Sequence, residues 1–232
     1  MKLNEARILL VDDEPILLSI FGAWLGVLGD GKLRTASNGQ EAHAAIVAQP
    51  VDVLITDVRM PIMDGISLVR RLAEEQLTIP TIIFVSGFGD VDHKEMYSLG
   101  VEAFLAKPVR REELIDVLGK ALAERGTLWT LPMPTVPRQS IQIEVGENDF
   151  RLGQGGFCIR YPKPLSLGKV AFRCSFTSPR RDITGEGYVR WYSKAEKSAG
   201  IEITFLDEES RVWFSNSIAA AKPLSFIPDF PR

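Results

Sequence analysis

The spacing of apolar residues changes once along this chain, and that change limits its fold more than any other feature. In the first half, short apolar runs alternate with amphipathic segments. "RILLVDD", "KLRTAS", "VDVLITD", "IPTIIFVSG" and "GVEAFLAKP" are five candidate strands. The first, third and fourth are almost continuous in Leu, Ile and Val, as expected of parallel strands covered on both faces. Helical windows lie between and after them at residues 15–28, 40–48, 66–75, 91–99 and 111–122. Pro15 suits a first helical turn, where its missing N–H is not needed. Strand and helix in alternation give a doubly wound α/β domain with a five-stranded parallel sheet.

In the second half the apolar period becomes two. "SIQIEV", "GFCIRY", "KVAFRCSF", "GYVRWYS" and "GIEITFL" alternate apolar with polar positions, and Gly or Pro separates them, so this half reads as an antiparallel sandwich or barrel. The helical pattern "EESRVWFSNSIAAA" follows. Between the halves stand Gly126, Pro132, Pro134 and Pro137, which favour extended backbone and exclude helix. The expected organisation is a first domain over 1–124, a semi-rigid linker over 125–137, and a β-barrel with a C-terminal helix over 138–232.

Charge supports two modules. Residues 1–125 hold 13 basic and 19 acidic side chains, whereas residues 126–232 hold 14 and 11. The basic residues of the second half are scattered apart from Arg180-Arg181, which is a weak footprint for a nucleic-acid binder. No apolar run approaches the roughly 18 residues of a membrane span, and the N-terminus turns acidic at once, so a cytoplasmic protein without membrane insertion is expected. Cys158 and Cys174 are too few for a disulfide framework and fall in strand patterns that suggest buried free thiols. His43 and His93 lie in polar, helix-like windows, which argues against a zinc site.

The chemistry of the first half sits at the strand ends. In a doubly wound sheet, ligands bind outside the carboxyl ends of the strands. Asp12 and Asp13 end the first strand, Asp57 the third, Ser86 the fourth and Lys107 the fifth, so all five face one crevice. Either acid alone could be a helix cap or turn residue. Three carboxylates together repel one another and call for a hard cation such as Mg²⁺. With a carboxylate nucleophile, a metal, a lysine and a hydroxyl, the crevice suits formation of an acyl phosphate.

"VDDEP", "DVRMPIMDG", "VSG" and "FLAKP", in this order and spacing, resemble the receiver domain of bacterial two-component response regulators, CheY-like and flavodoxin-like in fold, over residues 5–124. The resemblance implies Asp57 as phosphoacceptor, with Asp12, Asp13, Asp57 and the backbone carbonyl of Arg59 around Mg²⁺. It implies Lys107 as the phosphate-pairing cation before a cis peptide at Pro108, and Ser86 and Phe104 as the switch pair. Phe104 reads equally well as core. Arg59 and Phe88 fall where the family tunes phosphate lifetime, and Gly87 leaves the phosphoryl path open. A histidine kinase or phosphotransfer protein is the implied donor. Such a protein is a phosphoacceptor and not an enzyme, beyond self-phosphorylation from small donors and autodephosphorylation.

"GGFCIRYP" and "GEGYVRWYSKAEKSAGIEITFL" resemble the PilZ domain, a small β-barrel that commonly binds cyclic di-GMP, over residues 136–222. Gly187, Val189, Trp191, Gly200, Ile201 and Phe205 fit its later strands, with Trp191 and Phe205 read as barrel core. The family's ligand signature is broken. Its R-x-x-x-R pair would need a mate for Arg138 at Pro134 or Gln142, and its D/N-x-S-x-x-G turn keeps only Gly156, with Arg151 and Gly153 at the acid and serine positions. Glutamine or proline supplies neither the charge nor the fork of arginine. Cyclic di-GMP binding is therefore doubtful, although Arg138, Arg151 and Arg160 could form a smaller anion site. The reading is a response regulator whose degenerate PilZ-like output works by protein interaction, with a homodimer possible. A phosphorylation-regulated cyclic di-GMP effector is the alternative, and a DNA-binding regulator a more distant one.

Overall fold

The structure is a computed structural model that describes residues 3–26, 32–75, 77, 79–87, 92–123, 129–130, 137, 139–146, 148–221 and 225–230. It divides into two units: Met1–Val91 with Leu99–Ala123, and Asp92–Ser98 with Glu124–Arg232. Along the first half run β1 (Ile8–Val11), α1 (Pro15–Trp24), β2 (Leu33–Ala36), α2 (Gly39–Ala48), β3 (Val53–Asp57), α3 (Gly65–Glu74), β4 (Thr81–Ser86), α4 (His93–Ser98), β5 (Val101–Ala106) and α5 (Arg111–Leu122). All of these except α4 lie in the first unit.

The five strands form one parallel sheet in the order β2-β1-β3-β4-β5. Every residue of β1 and β3 is buried, which is why their sequences carry no alternation. Local chemistry fixes several helix starts. Asn38 caps α2 by accepting from Glu41 N, and Asp64 caps α3 by accepting from Ser67 N. Each such cap is worth about 1 kcal/mol. Helix α1 ends at Trp24, earlier than its apolar pattern suggested, with Leu25 as the cap. Arg7 and Asp52 tie the starts of β1 and β3 together: Asp52 accepts from Arg7 N, Nε and Nη2 at 2.7–3.0 Å.

The second unit holds β6 (Gln139–Val145), β7 (Phe150–Leu152), β8 (Gly156–Arg160), β9 (Gly168–Thr177), β10 (Arg180–Ser193), β11 (Ser198–Leu206) and a last helix, α6 (Glu208–Ala221). They form a curled, mixed six-stranded half-barrel in the order β6-β9-β10-β11-β8-β7. The expectation of a wholly antiparallel barrel is corrected at one pair, since β6 runs parallel to β9. A period of two assigns faces but not neighbours. After β6 the chain forms the β7–β8 hairpin, which pairs with β11 on the far side, and β9 then returns beside β6. Phe157, Phe172, Ile183, Ile201 and Phe214 fill the core.

Three further findings bear on the sequence reading, the first two changing it in part and the third agreeing with it. Within the stretch read as a linker, Trp129 is buried at 2% exposure against Phe214, and its carbonyl accepts from Leu206 N. Trp191 is buried as expected, but Phe205 is only half-buried. Cys158 and Cys174 are buried free thiols, each pushed well above the usual thiol range by desolvation. No helix among the described residues is long and apolar enough to cross a membrane.

Candidate functional site

Parallel pairing aligns the ends of β1, β3, β4 and β5, and the crevice forms there. Asp12 follows β1 and is almost fully buried, Asp57 is the last residue of β3, Ser86 ends β4, and Lys107 follows β5. Lys107 N donates to Ser86 O at 2.8 Å, which fixes the start of that loop, and the Lys107–Pro108 peptide is cis. The β3–α3 connection is equally constrained. Gly65 N donates to Val58 O, and a Cβ on Gly65 would lie 2.3 Å from the Asp57 carbonyl oxygen. Only glycine lets α3 start that close to the strand carrying Asp57.

Carboxylate oxygens of Asp12, Asp13 and Asp57 lie within 4.8 Å of one another. Lys107 Nζ reaches Asp57 Oδ2 at 2.7 Å and Asp12 Oδ2 at 3.1 Å, with Glu14 Oε1 at 3.5 Å. Asp57 Oδ1 accepts from Arg59 N at 3.3 Å, and Asp12 Oδ1 accepts from Glu14 N at 2.9 Å. Burial raises the Asp12 carboxyl above the ordinary Asp range, against the opposing pull of the Glu14 amide and Lys107. Lys107 is raised well beyond the ordinary lysine value because its carboxylate bonds outweigh its desolvation, so it stays charged across physiological pH.

Among the described residues, the buried oxygen Asp12 Oδ2 finds no well-directed hydrogen bond, although it lies 3.1 Å from the Lys107 ammonium. One lysine therefore leaves acceptor capacity unfilled among three clustered acids. A small hard cation with oxygen ligands fits that donor set, and receiver domains use Mg²⁺ in this acidic pocket. Asp12, Asp13 and Asp57 are the residues that would hold it. Arg59 follows Asp57 by two residues and bonds to it through its amide.

Ser86 and Phe104, the two residues read as a switch pair, have side-chain contacts outside the acid cluster. Ser86 Oγ donates to Gly87 O at 2.7 Å. Phe104 is half-buried in β5, edge-on to Phe84 at 6.1 Å. Among the described residues, a Cβ on Gly87 would meet nothing within 4 Å. Phe88 lies outside the described residues.

Of the three arginines read as an anion site in the second unit, the two that the structure describes, Arg151 and Arg160, have partners of their own. Arg138 is outside the described residues. Arg151 Nη1 donates to Asp229 O at 3.0 Å. The Arg160 guanidinium lies 4.6 Å from the centre of the Phe230 ring and its Nε is 3.6 Å from Asp149 Oδ1. Both described arginines thus engage the C-terminal segment Ser225–Phe230, which the sequence reading overlooked. Its apolar cluster, "SFIPDF", was the available signal.

A family model described as the response regulator receiver domain matches residues 8–119. Among curated relatives, the uncharacterized transcriptional regulatory protein YesN of Bacillus subtilis is 36% identical over 122 residues, covering 51% of this chain and 33% of that protein. The positive alginate biosynthesis regulatory protein of Pseudomonas aeruginosa is 34% identical, with 50% and 46% covered. The chain therefore spans less than half the length of either. The transcriptional regulatory protein TrcR of Mycobacterium tuberculosis is 33% identical over 181 residues, with 77% of this chain and 67% of that protein covered.

Proposed function

The chain belongs to the response regulators of two-component systems, and from that premise we propose that phosphorylation of Asp57 switches a PilZ-like second unit that acts by binding another protein. The carrying observation is the Asp12, Asp13, Asp57 and Lys107 cluster at the carboxyl ends of one parallel sheet. A histidine kinase or phosphotransfer protein is the donor, and the setting is the cytoplasm.

In the reaction, an Asp57 carboxylate oxygen attacks the donor phosphorus. A phosphorus–oxygen bond forms, the bond to the donor's leaving atom breaks, and the leaving group departs with the electron pair. Mg²⁺, bound by Asp12, Asp13, Asp57 and the carbonyl of Arg59, would supply charge neutralisation at the phosphoryl oxygens. Lys107 already faces Asp57 and is aimed to pair with the product's phosphoryl group, a charge-assisted contact in a largely buried site. Ser86 leaves Gly87 O to donate to the same group, and Phe104 follows inward. These movements shift an existing equilibrium between two packings.

The second unit lacks the arginine pair and acidic turn that grip a cyclic dinucleotide, and its Arg151 and Arg160 already have partners. Calorimetric titration with cyclic di-GMP is expected to give no saturable heat. Binding at micromolar concentration would restore the dinucleotide-effector reading. TrcR is named a transcriptional regulatory protein; in this chain the scattered basic residues favour a protein partner.

The output is tested by affinity capture from native cells with wild type and Asp57→Ala. A partner retained by one form and lost by the other supports the proposal. Identical partner sets under phosphorylating conditions would overturn it.

A further inference from the structure

The segment Ser225–Phe230 is held as a ligand is held. Gln154 N donates to Ser225 O at 2.9 Å and Gly155 N to Phe226 O at 3.0 Å, so the Leu152–Gly156 turn pairs with the segment through its backbone. On the other side, Phe226 N donates to Tyr97 O at 3.0 Å and Ser225 Oγ to Ser98 O at 2.7 Å, both from α4, which belongs to this same unit. Phe226 is 4% exposed and stacks on Tyr97 at 5.9 Å, and Ile227 is fully buried. The receiving surface is shaped for them. A Cβ on Gly155 would lie 1.9 Å from the Phe226 ring, and one on Gly153 2.4 Å from the Phe226 carbonyl oxygen. Charge completes the fit, with Lys94 Nζ 3.0 Å from Asp229 Oδ2 and Arg151 on the Asp229 carbonyl.

Main-chain pairing with alternate side-chain pockets is how extended peptides are recognised. We propose that the strip between the Leu152–Gly156 turn and α4 is a peptide-binding groove, closed in this chain by its own Ser225–Phe230. A partner's extended segment of the same chemistry displaces it: an aromatic residue, an aliphatic one, a proline and then a carboxylate. The proposal rests on the reading that the second unit's output is protein binding, and it names the chemistry of the partner. The glycines at 153 and 155 follow from it, because the turn is built to admit a side chain and a second backbone.

The probe is a fluorescein-labelled peptide of residues 225–232, added to three proteins: the intact chain, the chain ending at residue 224, and intact Phe226→Ala. Anisotropy should show saturable binding to the truncated chain and to Phe226→Ala, at least tenfold weaker binding to the intact chain, and at least tenfold weaker binding of a peptide carrying Phe226→Ala. Circular dichroism establishes which proteins are folded, and Phe226→Ala carries the test if truncation unfolds the unit. Folded variants that take no peptide, or an intact chain that takes it equally well, would overturn the groove. If those same variants still capture a partner dependent on Asp57, the protein-binding output stands and only the groove fails.

Discussion

At the scale of single residues, the crevice is a balance between three acids and one lysine. Substituting Lys107 by alanine removes the cation that faces Asp57, and the rate of phosphorylation from a small donor should fall roughly 100-fold, as when one preorganised donor is lost from a transition-state site. Single-turnover labelling measures this. Asp12 gives a prediction of opposite sense for stability. Its folded carboxyl is raised, so its contribution is greatest below the ordinary Asp value and is lost as pH rises through the folded value. In chelator at neutral pH, Asp12→Asn should therefore raise the thermal midpoint by a few degrees, roughly the scale of 1 kcal/mol in a domain of this size. Asp52 behaves the other way. The Arg7 hydrogen bonds lower its carboxyl, so its stabilisation is present above the ordinary Asp value of 3.8 and disappears as pH falls through the lower folded value. Asp52→Asn should lower the midpoint at pH 7, and the gap to wild type should close in acid melts. The acids were legible in the sequence because they gather at the ends of parallel strands, where a cap or a turn accounts for one of them but not for all three together. The hydrogen bond of Ser86 to Gly87 was not, since a hydroxyl's direction depends on local rotamers that residue type does not specify.

At the scale of elements, the parallel strands were readable because burial on both faces leaves continuous aliphatic runs. Strand β10 shows how the signal fails. Its inward positions are Ile183, Gly185, Gly187, Val189 and Trp191, a faithful period of two. Two of those five are glycines, which look like separators, so only the later part of the strand was recognised. The reason for them is space: a Cβ on Gly187 would lie 2.2 Å from the Glu202 carbonyl oxygen, and one on Gly185 2.3 Å from that of Phe205. Gly187→Ala should destabilise the second unit by about 1–3 kcal/mol, measured by denaturant unfolding of that unit's tryptophan signal. Strand β7, only three residues long, carried too little pattern to detect. The parallel pairing of β6 with β9 depends on where a distant hairpin docks, which no local period encodes.

At the scale of the whole molecule, the sequence placed a boundary where the apolar period changes, near residue 125. The units are drawn differently. Asp92–Ser98 and Trp129 both belong with the second unit, and contact chemistry explains each. Trp129 is a large aromatic that fills the half-barrel core beside Phe214. In α4, Tyr97 is buried against Phe226, its hydroxyl pushed up to about 12 by desolvation, and Lys94 is paired with Glu196 and Asp229. These partners lie more than a hundred residues away along the chain, beyond the reach of any pattern window. The central claim concerns Asp57, and the most direct measurement is the intact mass of the protein after incubation with Mg²⁺ and acetyl phosphate, followed by mapping of the modified residue. The account predicts one added phosphoryl group per chain, located on Asp57, absent in Asp57→Asn and absent when the metal is chelated. An unmodified mass under conditions that preserve acyl phosphates, or a phosphoryl group retained by Asp57→Asn, would contradict it.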